Sequence, residues 1–190
     1  MSEEMIVRHC APTLAGMKAG SLFPCPYDDN EEFTDDLARF RALLRPKGLR
    51  LLCVRNRPGR ALILLYRPSL LYRILSGKDA LRILTERGYD SVSPKDCLGE
   101  LFRRLQKGGR DFPHEVGLFL GYPPDDVSGF IRRDRPVRTV GARTVYGDAE
   151  GAERRFAAYR RCTDSYIRRL KNGCPLERLA VMRPDERERA

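Results

Sequence analysis

The chain has 190 residues, of which 42% are hydrophobic and 33% charged, a balance that fits a folded protein and excludes a disordered one. The formal charge of +10 is uneven: residues 1–36 hold two basic and eight acidic side chains, a balance of −6, and the rest hold 34 and 18, a balance of +16. The longest apolar run, Ala61–Tyr66, excludes a membrane-spanning helix, and Met1-Ser2-Glu3-Glu4 lacks a secretory pattern, so a cytoplasmic protein is expected.

The first segment, Arg8–Lys18, carries His9 and Cys10 among Pro and Gly and reads as a loop. Ser21-Leu22-Phe23 reads as a short strand, followed by a turn at Pro24-Cys25-Pro26. Asn30 can cap a helix whose first turn carries Glu31 and Glu32, favoured by the helix dipole. Phe33, Leu37, Phe40 and Leu44 then recur at helical spacing until Pro46 and Gly48 stop the run. Leu49–Arg55 and Ala61–Arg67 read as a β-hairpin turning over residues 56–60, and the second strand, apolar on both faces, belongs at the centre of a sheet. Helices follow at Leu70–Leu75, Asp79–Arg87 and from Pro94, the last with Leu98, Leu101, Phe102 and Leu105 turned inward. A short apolar helix runs from Pro113 to Gly121 and another starts at Pro123-Pro124, burying Val127, Phe130 and Ile131. Val137–Tyr146 suggests a last strand or hairpin. A long helix, Ala149–Lys171, ends with Gly173 in the C-cap position. The expected fold is therefore α/β of the α+β type: one domain over residues 1–181, with a small, mainly antiparallel sheet around a central hairpin, covered by several helices. Residues 182–190 form a charged tail.

Chemistry concentrates around the only two histidines. Cys10 beside His9 could serve as a nucleophile if an imidazole, His9 or His114, lowered its pKa; a buried thiol beside a satisfied histidine is the bland alternative. His114-Glu115-Val116-Gly117-Leu118 begins like a zinc-protease helix but has leucine where the second histidine belongs, so that reading fails. His114 and Glu115 are then expected to cap a helix or bond a neighbouring loop. Six scattered cysteines without a close pair argue for free thiols, not a zinc ribbon or a disulfide framework. On the long helix Arg154, Arg161 and Arg168 share one face, which permits phosphate contacts but offers no aromatic for base stacking. Asp125 and Asp126 at the start of their helix exclude a DNA-reading helix-turn-helix there.

The segments His9-Cys10-Ala11-Pro12-Thr13-Leu14-Ala15-Gly16 and Phe112-Pro113-His114-Glu115 through Gly117-Leu118-Phe119-Leu120-Gly121-Tyr122-Pro123 resemble an uncharacterised bacterial family, Domain of Unknown Function 3793. The resemblance extends through Val127, Gly129-Phe130-Ile131, Val145-Tyr146-Gly147 and the Phe156/Tyr159/Cys162 helix, covering about residues 5–175. Members tend to carry a Trp, and often a Cys, before the late Val-Tyr; this chain has Gly141-Ala142-Arg143-Thr144 there. The resemblance implies no activity and no catalytic residues. The reading that follows is a protein binding a small anionic ligand or a metal-containing cofactor, with its site between the His9-Cys10 loop and the Pro113–Pro124 helix-turn. Cys10, His9 and His114 are the reactive candidates there, and Lys18, Glu115 and Tyr122 the ligand contacts. A cysteine-dependent enzyme using Cys10 and a basic module for nucleic acid or a protein partner are the alternatives.

Overall fold

The computed structural model describes residues 1–90, 93–107, 112–132, 139–140, 144–145 and 148–183. Chain contacts group them into two compact units, residues 1–70 with 161–190 and residues 71–160.

The first unit opens with a helix where a loop was expected. Helix α1 (Glu3–Leu14) starts at Ser2, whose hydroxyl accepts from the Met5 N–H, with Glu3 and Glu4 in the first turn. Ile6, Val7, Cys10, Ala11 and Leu14 recur at helical spacing and are all fully buried. Pro12 was the misleading signal: it stands inside the last turn, where it forfeits one backbone donor but the helix continues through Leu14. Gly16 then takes φ +74°, and the Met17 and Gly16 amides bond the Pro12 and Thr13 carbonyls at 2.8 and 3.1 Å. That is a Schellman closure, which needs a residue able to adopt a left-handed backbone.

Strand β1 (Gly20–Pro26), longer than the expected three residues, pairs antiparallel with β3 (Arg60–Tyr66), which pairs antiparallel with β2 (Arg50–Arg57). The order β1-β3-β2 puts the apolar strand in the centre, as its two-sided hydrophobicity requires. Phe23 and Cys53 both face Ile63 in the register, and a bulge between Cys53 and Arg55 shifts the far end of β2. Pro24 and Pro26 lie on an edge strand, where a missing N–H breaks no central ladder. Helix α2 (Asn30–Leu44) is capped by Asp29, one residue before the expected cap; its carboxylate accepts from Glu31 and Glu32 amides at 2.7 and 2.8 Å. Phe33, Leu37, Phe40 and Leu44 pack with α1, with Phe23, Leu51, Ile63 and Leu65 of the sheet, and with Leu176 and Leu179 in one core.

The second unit is mainly helical. Helix α3 (Pro68–Leu75) begins in the first unit; α4 (Lys78–Glu86), α5 (Pro94–Lys107), α6 (Val116–Phe119) and α7 (Pro124–Arg132) follow. Cys97, Leu101 and Leu105 form the buried stripe of α5, so Leu98 and Phe102, expected inward, are only half-buried. On α7 the buried residues are Val127 and Gly129, and Phe130 and Ile131 are half-buried. The expected Pro113–Gly121 helix shrinks to the four residues of α6, because Pro113, His114 and Glu115 form a turn ahead of it. Gly117 lets α6 lie against α7: a Cβ there would stand 2.8 Å from Val127 Cγ2. Strands β4 (Thr139–Val140) and β5 (Thr144–Val145) pair antiparallel, matching part of the expected hairpin; its residues 137–138, 141–143 and 146 lie outside the described residues. Helix α8 (Ala149–Lys171) has the expected bounds, and the short α9 (Leu176–Leu179) follows. Residues 184–190 of the expected tail lie outside the described residues.

Candidate functional site

His9 and Cys10 are consecutive on α1, about 100° apart around its axis, so one faces solvent and the other the core. The exposed His9 ring stacks on Phe23 at 5.1 Å and 7°. Partial burial, then the charge of Arg8, lowers its pKa. Cys10 is fully buried, and burial pushes its thiol up to about 12, although the Lys18 ammonium and the Ser21 hydroxyl favour the thiolate. Below it, the Thr13 and Ser21 hydroxyls bond at 2.9 Å. A nucleophilic cysteine needs the opposite environment. Native protein treated with N-ethylmaleimide at neutral pH should therefore leave Cys10 unmodified while the half-buried Cys53 and Cys174 react, as read by peptide mass spectrometry. Alkylation of Cys10 with an apparent pKa below about 8.5 would restore the nucleophile reading.

His114 and Glu115 behave differently from one another although they are neighbours. His114 is exposed, with the Phe130 ring edge-on at 4.9 Å and Phe112 at 5.9 Å. Glu115 precedes α6 but makes no side-chain cap; its carboxylate turns inward and is fully buried. Oε1 accepts from the Tyr89 hydroxyl at 3.2 Å and from Arg104 Nη1 at 3.1 Å. Oε2 has no hydrogen-bond donor among the described residues, although Arg87 Nε lies 3.4 Å away as an ion-pair contact. Tyr122, half-buried, raises the pKa of Tyr159, an effect secondary to the burial of Tyr159 itself.

Arg104 organises this cluster. Its guanidinium donates to Glu100 at 2.6 Å, to the Arg87 and Gly88 carbonyls at 2.8 and 2.9 Å and to Glu115, and it lies 4.2 Å over the Tyr89 ring. It thereby ties the end of α4 to α5 and to the turn before α6. Hydrogen bonds from Arg103 and Arg104 hold the Glu100 carboxyl down to about 2. Burial, reinforced by the Glu115 charge, raises the Tyr89 phenol, which stays protonated.

Beside the cluster lies a groove of about 430 Å³, lined by Tyr89, Asp90, Lys95, Asp96, Cys97 and Glu100, with Gly99 leaving the wall bare. Tyr89 and Glu100 therefore belong to both the buried cluster and the groove. Of these residues the sequence reading singled out Glu115 alone. It was singled out with His114 as a helix-capping pair; a carboxylate next to the apolar run Val116–Leu120, where burial demands a cation, is the signal that would have assigned it its observed place. Nothing in the spacing of Tyr89, Glu100 or Arg104 pointed to the same place.

Among the described residues no group of three or more His, Cys, Asp or Glu side chains is arranged to hold a metal ion, and no helix is long and apolar enough to cross a membrane. Nor does a disulfide join any of the six cysteines among those residues. Fold and site together define an α+β protein with a three-stranded antiparallel sheet and a polar groove backed by a buried ion pair. The chain belongs to DUF3793, a family of proteins of unknown function, which it matches over residues 6–180. No curated protein and no solved structure matches it.

Proposed function

We propose that the protein binds a small polar molecule in the groove beside Tyr89 and Glu100. The observation that carries this reading is the sharing of those two side chains with the Glu115–Arg104 cluster. A binding wall whose polar groups are already fixed by buried partners loses little entropy when a ligand arrives. Glu100 is already engaged by Arg103 and Arg104, and Asp90 and Asp96 still outnumber the Lys95 ammonium along the groove. That lining suits a ligand with an amine or guanidinium end, in contrast to the anionic ligand suggested by the overall charge. The buried, weakly acidic Cys10 gives the cysteine-enzyme alternative no support, and the metal-cofactor alternative lacks a donor cluster among the described residues.

The test is a thermal-shift and calorimetric comparison of spermidine and agmatine with citrate and phosphate. A ligand at about 100 times its Kd stabilises by about 2.7 kcal/mol, which at this chain length raises Tm by about 5–10 °C. The amines should give such a rise, and Asp90→Asn with Asp96→Asn should abolish it. A response confined to citrate or phosphate, or none at all, would overturn the reading.

A further inference from the structure

We propose that the exposed face of α8 between Arg161 and Arg168 docks an acidic segment of a partner protein, one in which an apolar residue lies between two groups of carboxylates. This surface belongs to the first unit and is independent of the groove beside Tyr89.

A shallow depression of about 480 Å³ is lined by Arg161, Asp164, Ile167 and Arg168. The two arginines are seven residues apart, which places them on the same face about 10.5 Å from one another along the axis. Both are exposed, and Ile167 between them is half-buried. Asp164 stands three residues after Arg161 and four before Arg168, the spacings at which helical ion pairs form. Yet among the described residues none of the three makes an ion pair. Over residues 161–178 the exposed cations are Arg161, Arg168, Arg169, Lys171 and Arg178, against the exposed carboxylates Asp164 and Glu177. The face therefore presents two free guanidinium groups, an apolar floor and an excess positive field, which together complement carboxylates flanking an apolar side chain.

The same features disfavour a nucleic acid. A phosphate chain following the arginines would pass Asp164, which repels it. Tyr166, the aromatic nearest the depression in sequence, is buried and offers no face for a base. A peptide can meet Asp164 with a backbone N–H.

The test uses the full chain and short fluorescein-labelled peptides carrying Asp-Glu pairs on either side of a leucine, with the spacing between the pairs varied across the set. Anisotropy at low salt should show binding by at least one spacing. Arg161→Ala combined with Arg168→Ala should weaken it about five- to tenfold, whereas Arg45→Ala with Arg60→Ala, exposed arginines elsewhere, should leave it within about twofold. Replacing the peptide leucine by serine should weaken binding about threefold or more. Absence of binding across the set, or binding indifferent to Arg161 and Arg168 or to the leucine, overturns the proposal. So does labelled oligouridine binding more tightly through the same two arginines, which would assign the face to RNA. Concentration-dependent sedimentation abolished by the double variant would assign it to a second copy of the chain and equally overturn it.

Discussion

Replacing Arg67 with methionine should lower the stability of the protein by about 3–5 kcal/mol, the range for removing a buried, hydrogen-bonded charge and stranding its partners. Arg67 follows β3 and is fully buried. Its guanidinium donates to the carbonyls of Thr13 and Leu14 at 2.7 Å each, of Lys47 at 3.2 Å and of Val181 at 2.6 Å. The first two are carbonyls at the end of α1, where intrahelical donors run out. The others hold the turn after α2 and the segment after α9 against that helix end, where the Val181 amide also bonds the Leu14 carbonyl at 3.0 Å. Methionine fills part of the volume but donates nothing. Lysine carries the charge on a single ammonium, which cannot span four acceptors in a planar fork. Both variants should melt about 6–20 °C below wild type and lose hydrogen-exchange protection at the Val181 amide first, whereas Arg60→Ala, on an exposed side chain, should stay within about 0.5 kcal/mol. A melting point for Arg67→Met within about 2 °C of wild type would mean that these four bonds contribute little beyond what water supplies.

Arg67 also shows where sequence reading stops. Periodicity identified α2, the hairpin and α8 because each repeats its apolar residues at a single spacing over several turns or strand pairs. Phe33, Leu37, Phe40 and Leu44 are one such run, and they are the buried face of α2. Helix α1 was missed although Ile6, Val7, Cys10, Ala11 and Leu14 carry the same signal. Pro12 and Gly16 were weighted as loop formers, when one is tolerated inside the last turn and the other closes the helix. The two motifs built around the histidines were read as chemistry, yet much of their composition is explained by shape. Gly16 and Gly121 take positive φ, and Gly117 makes room for Val127. The groove was not legible at all. Tyr89, Glu100 and Arg104 belong to one cluster only because Arg104 of α5 reaches back to the Arg87 and Gly88 carbonyls after α4, and an arginine in a chain with 36 Lys and Arg residues carries no local mark of its partner.

Arg104→Met is the counterpart experiment in the second unit, with an expected loss of about 2–4 kcal/mol at neutral pH. The variant leaves Glu115 buried with the Tyr89 hydroxyl and the long Arg87 contact, and it frees the Arg87 and Gly88 carbonyls. Replacing both charges, Arg104→Met with Glu115→Met, should recover part of that loss, because an uncompensated buried carboxylate costs more than an apolar pair. If the two substitutions instead add, the pair is not coupled and the cluster does not hold the groove wall. Acid titration separates the partners further. Glu100 has its pKa depressed to about 2, by Arg103 first and Arg104 second. Its contribution to stability is therefore complete above its ordinary carboxylate pKa of about 4.3 and is lost as pH falls through about 2. Removing either arginine moves the Glu100 pKa back towards the ordinary value, so acid unfolding should begin at higher pH in both Arg103→Ala and Arg104→Met. At pH 7 the loss should be small in Arg103→Ala, because Arg103 is an exposed partner of Glu100, and much larger in Arg104→Met, because Arg104 reaches the buried carboxylate. The same contrast should extend to binding: spermidine affinity should fall in Arg104→Met, where Tyr89 and its partner Glu115 lose the guanidinium beside them, and survive in Arg103→Ala, where that wall is intact.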